Sequence, residues 1–73
     1  MFSYGPLRYI LAKKKIKRKA LQDALHLSPT TIAKINRNEF LSMEVLDKIC
    51  TYLDCNIEDV VVHIKPIDFQ KKR

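Results

Sequence analysis

Glycine is nearly missing from this chain, with one in 73 residues and three prolines beside it. That scarcity leaves no glycine-rich loop to wrap a nucleotide phosphate and no flexible stretch to mark a linker between domains. No apolar run is long enough to span a bilayer. The opening MFSYGPLRYILAKKK sets its interrupted apolar residues ahead of the positive run, the reverse of a secretory leader. Cysteine is scarce too: Cys50 and Cys55 have only His26 and His63 as distant companions, which fits none of the usual zinc spacings. The expectation is one reduced core thiol and one turn residue across a helix end, with no metal and no cofactor. Enzyme chemistry finds no purchase, since there are no paired carboxylates with a histidine and no nucleophile motif. With apolar residues at 47% and no low-complexity segment, a compact, soluble, cytoplasmic fold is expected. The length allows one domain, over residues 1–64, with a basic tail over 65–73.

What is abundant is positive charge, and it is unevenly placed. Residues 1–38 carry nine Lys or Arg against the single acid Asp23, whereas residues 39–64 carry Lys48 against six acids. A chain divided in this way suits a polyanion on one face and turns the other away from it. Apolar periodicity marks the helices. Leu7, Ile10 and Leu11 predict a first helix over 5–14, and Leu21, Ala24 and Leu25 a second over 18–25. Ser28 and Pro29 suit the cap and first position of a third helix over 28–38. Ile32 and Ile35 lie on one side of it, and Thr30, Ala33, Lys34 and Arg37 form the opposite stripe. Ser42 caps a fourth helix over 43–53, in which Val45, Leu46, Ile49, Cys50 and Leu53 share a face. NIEDVV reads as a last short helical turn capped by Asn56, and VVVHI as a possible short strand.

Leu21 and Leu25, the turn HLS, then Ile32 and Ile35 are the apolar positions of a helix-turn-helix, whose second helix enters the major groove of DNA. With SPTTIAK opening that helix, SMEVLDKICTYLDC after it and NIEDVV at the close, residues 4–62 resemble the XRE-type, Cro and phage-repressor-like DNA-binding family. The resemblance implies an all-α, compact bundle of about five helices, lambda-repressor-like. It also implies a small transcriptional regulator, a repressor, bound to double-stranded DNA as a homodimer on a palindromic operator. Two residues depart from the family pattern: Gln22 stands where a small Ala is usual, and His26 where the turn usually has Gly.

Carried over residue by residue, the resemblance puts Pro29, Thr30, Ala33, Lys34 and Arg37 against bases, and Lys17, Arg18, Lys19, Thr31 and Asn38 against phosphate. The chemistry agrees, because Lys can donate to guanine O6 and N7 and Thr can meet a thymine methyl. The run KKKIKRK is either a solvated loop or partly a phosphate contact, with Ile16 anchoring it to the core. Asn36 is expected on the core side, and Phe40 is expected to pack on the domain. The rival readings are a DNA-binding antitoxin, or a protein-interaction module acting through VVVHIKPIDF. RNA binding is disfavoured, because the aromatics of the basic half, Phe2, Tyr4 and Tyr9, are expected in the core. Residues 60–64 either pair as a strand with another chain, joining a dimer, or fold back so that Val61 and Ile64 cover the core.

Overall fold

The computed structural model describes residues 1–65, and its helices follow one another by the same local device. Helix α1 runs Gly5–Lys13, α2 Arg18–Leu25, α3 Pro29–Asn36 and α4 Met43–Leu53, and a 3-10 turn follows at Ile57–Asp59. The five expected helical segments are thus four α-helices and one 3-10 turn. Their starts are those the sequence marks. Ser28 Oγ accepts from the Thr31 amide at 3.2 Å, and Ser42 Oγ from the Val45 amide at 3.2 Å. Asn56 caps the 3-10 turn as expected, as half of a capping box in which Asp59 Oδ2 accepts from the Asn56 amide at 3.1 Å.

The helix ends were less legible. Each α-helix is followed by a non-glycine residue in the left-handed region: Lys15 at φ 58°, His26 at 56°, Asn38 at 57° and Asp54 at 53°. In each case the next amide returns to a carbonyl in the last turn: Ile16 to Leu11 at 2.8 Å, Leu27 to Gln22 at 2.9 Å, Glu39 to Lys34 at 2.9 Å, and Cys55 to Cys50 at 3.1 Å. This bond occupies carbonyls that the helix itself cannot use, and glycine is its usual hinge. The chain's one glycine sits elsewhere, at the start of α1, where its amide donates to Ser3 Oγ at 3.1 Å.

Leu7 and Leu11 of α1, Leu21 of α2, Ile35 of α3, and Leu46, Ile49 and Leu53 of α4 meet in one core, closed by Tyr4 and Val60. Ile16, Leu25, Ile32, Val45 and Cys50 pack at its margin. Three expected core positions need correction. Tyr9 is 66% exposed and Phe2 41%; Tyr9 lies about 200° around α1 from both Leu7 and Leu11, so it cannot share their face. Asn36 is also exposed, because Ile32 and Ile35 already fill the core side of α3.

The C-terminal segment meets the N-terminus. Strand β1, Phe2–Ser3, pairs antiparallel with β2, Val62–His63, in the register Phe2 to His63 and Ser3 to Val62. Val60 is buried, its carbonyl accepts from the Leu7 amide at 3.2 Å, and Val61 packs on the core. Val61 therefore folds back as one reading has it, whereas Ile64 stays 44% exposed, its amide bonded to the Met1 carbonyl at 2.7 Å. The strand thus pairs within its own chain. The end of VVVHIKPIDF and most of the basic tail lie outside the described residues. Among the described residues no helix is long and apolar enough to cross a membrane.

Candidate nucleic-acid interface

Helices α2 and α3 are joined by His26, Leu27 and Ser28. His26 takes the left-handed conformation, Leu27 is buried, and Ser28 caps α3, so each of the three turn residues has a separate task in fixing the angle. Ile35 is fully buried and anchors α3 from behind. Elsewhere along this segment, Pro29, Thr30 and Arg37 are exposed, and Thr31, Ala33 and Lys34 are half-buried. The Thr31 hydroxyl lies 3.1 Å from Ser28 Oγ, which ties this side chain to the cap. Arg37 Nε donates to Glu39 Oε2 at 2.9 Å, with both side chains largely exposed. A surface pair of that kind contributes about 0–1 kcal/mol, so an incoming phosphate or base edge can displace the carboxylate.

At the start of α2, Lys17, Arg18 and Lys19 are all exposed. Among the described residues no side chain caps that helix, so its first-turn amides and their share of positive dipole are open to an anion there. Lys19 Nζ lies 3.3 Å from Asp23 Oδ1, one turn on, an exposed pair that holds the lysine only loosely.

One residue that the sequence pattern does not single out joins these elements. Arg8 projects from α1 to the end of α3, where Nη1 donates to the Ile35 carbonyl at 2.9 Å and to Asn38 Oδ1 at 3.2 Å. A cation at a helix C-terminus is favoured by the dipole, and here it also satisfies a last-turn carbonyl. Arg8 further lines a depression of about 280 Å³ with Leu11, Ile16, Lys17 and Arg18. It thus connects the start of α2 with the end of α3. The only hint in the sequence was a cation between the apolar positions Leu7 and Ile10. Asn38 is turned partly inward: its Oδ1 accepts from Arg8 and, at 3.0 Å, from the Tyr4 amide.

The acids lie apart from these cations in sequence. Glu44, Asp47, Asp54, Glu58 and Asp59, on α4 and just beyond it, are exposed. A second surface feature follows α3. Phe40 is 75% exposed and Met43 76%, and they line a depression of about 250 Å³ with Phe2, Ile57 and Val61. Phe40 meets the Phe2 ring edge-on at 6.2 Å, so the packing expected of it is only a touch. Among the described residues no group of three or more His, Cys, Asp or Glu could hold a metal ion.

The comparisons with known proteins point the same way as this geometry. A family model described as the Cro/C1-type HTH DNA-binding domain matches residues 6–66. A solved structure, that of the transcriptional regulator VanUg, is similar with 34% sequence identity and a TM-score of 0.85, the match covering 89% of this chain and 87% of that one. No curated protein matches the chain.

Proposed function

The chain belongs to the Cro/C1-type helix-turn-helix DNA-binding domains, and from that membership we propose that it is a sequence-specific transcriptional repressor that lays α3 in the major groove of duplex DNA. The observation that carries the reading is the pairing of an exposed α3 start, Pro29 and Thr30, with an uncapped, triply basic α2 start, Lys17 to Lys19. The first supplies base-edge contacts and the second supplies phosphate contacts that set the register. Thr30 and Lys34 are the main readers, with Pro29, Ala33 and Arg37 beside them. Arg18 and Lys19 hold one phosphate run with Lys17, while Thr31 and Asn38 hold the adjacent backbone, Asn38 through its Nδ2 because Oδ1 is used inside the fold. Bound at an operator, such a domain represses by occupying it.

Two copies on a palindromic operator, about one helical turn apart, give the affinity that one short helix does not. The exposed apolar depression beside Phe40 and Met43 supports an association surface, and it also favours the second reading, a DNA-binding antitoxin whose protein partner covers that face. Selection from random duplex DNA with the full chain tests the proposal. A symmetric enriched sequence supports the repressor dimer. A single half-site bound by a monomer removes the dimer, and no enrichment at all removes sequence-specific recognition. Capture of a specific protein partner that displaces the chain from selected DNA turns the reading to the antitoxin.

A further inference from the structure

We infer that Cys50 and Cys55 form a convertible dithiol site, closed to an intramolecular disulfide by exchange with a small-molecule disulfide. Both thiols are free. They stand at the two ends of the bond that closes α4: the Cys55 amide donates to the Cys50 carbonyl at 3.1 Å, with Asp54 left-handed between them at φ 53°. Residues related by this bond characteristically bring their side chains together over the helix end. A backbone bond this short also holds the two Cα atoms near the separation of about 4.4–6.8 Å that a disulfide needs. The other three helix ends repeat the bond but join Leu11 to Ile16, Gln22 to Leu27 and Lys34 to Glu39. Only at α4 do both positions carry sulfur. The two cysteines are half-buried and line one open depression with Met43, Asp47 and Ile57, so a small reagent can reach them.

The exchange balances without any further reactant. One cysteine, as thiolate, attacks a sulfur of the small disulfide, forming a mixed disulfide and releasing one small thiol. The second cysteine loses its proton to solvent and displaces the other small thiol. The protein gives up two electrons and two protons, and the reagent is reduced to two thiols. Burial raises the Cys55 thiol above its usual range, and the Cys50 thiol beside it and the Asp59 carboxylate push the same way while Lys14 opposes them. Cys55 therefore rests protonated at neutral pH, and the exchange speeds up as the solution is made alkaline.

The test incubates the full chain with oxidised and reduced glutathione at a series of ratios and follows thiol count and intact mass. The expected product has lost both free thiols and two hydrogens, retains no glutathione, and is restored by dithiothreitol. Cys50→Ser and Cys55→Ser should each stop at a stable glutathione adduct on the remaining cysteine. A parent chain that accumulates glutathione adducts, links to a second chain, or keeps both thiols under excess oxidant overturns the inference. The urea-unfolded chain is the control for geometry: if it closes at as low an oxidant ratio as the folded chain, the helix-end arrangement contributes nothing and the site as described is lost.

Discussion

Asn38 and Lys34 lie four residues apart on one short segment, yet the fold sets them in different surroundings. Lys34 is half-buried at the last turn of α3, and a lysine there can bury its stem while its ammonium stays in solvent. Lys34→Ala and Thr30→Ala are therefore expected to relax base preference, each at about 1–3 kcal/mol for the matched site, whereas Arg18→Ala should weaken all duplexes alike. Titrating a selected duplex and a scrambled one against each variant separates the two patterns; a Lys34 variant with the parent's full preference would move recognition elsewhere. Asn38 is held by Arg8 and by the Tyr4 amide. Asn38→Asp preserves an acceptor for both donors and should keep the fold, while an added charge near the DNA backbone lowers affinity. Asn38→Ala leaves an Arg and an amide short of a partner, a loss on the order of 1–3 kcal/mol in thermal or urea unfolding. The stripe that holds Lys34 was legible because it is periodic. Arg8 was not, because its partners lie 27 and 30 residues away and no local pattern announces a side chain that reaches so far.

Elements began where the sequence marks them, since Ser28, Pro29 and Ser42 carry their capping chemistry in their own side chains. Their ends are hidden by the shortage of glycine. Lys15 and His26 have no side-chain bond among the described residues that rewards their left-handed backbone, and that conformation costs a non-glycine residue about 1–2 kcal/mol. Lys15→Gly and His26→Gly should each raise stability by about 1 kcal/mol after the entropy of the freer unfolded chain is subtracted, or about 4–8 °C in a melt. Asn38→Gly should gain nothing, because it gives up the Oδ1 contacts along with the strain. If all three glycines behaved alike, the distinction between a bare hinge and a bonded one would be wrong. The β1–β2 ladder was the least legible element: two residues on each side, some 60 apart in sequence, offer no periodicity from which to infer pairing. Its partner segment is also part of the core. Truncation after Asp59 removes buried Val60 and the carbonyl that receives the Leu7 amide, so that chain should melt well below the parent in circular dichroism.

Across the whole molecule, charge is distributed so that one binding measurement reports on both orientation and assembly. The first 38 residues hold nine cations and one acid, and the acids gather from Glu39 onward. The cations on that half are exposed at Lys13 to Lys15, Lys17 to Lys19 and Arg37. On the proposed reading, DNA that meets the α2 and α3 starts loses counterions to these cations. If one chain neutralises about four phosphates, raising salt from about 50 to 200 mM should weaken binding about a hundredfold. Two chains on one operator neutralise about eight, and the same change should then cost about four orders of magnitude. The slope of affinity against salt thus counts chains on the DNA without a separate measure of size. The dimer follows only if the slope on a symmetric duplex is near twice that on a single half-site. Equal slopes would leave each chain to bind alone, and a flat response would remove the phosphate contacts on which the α2 start depends.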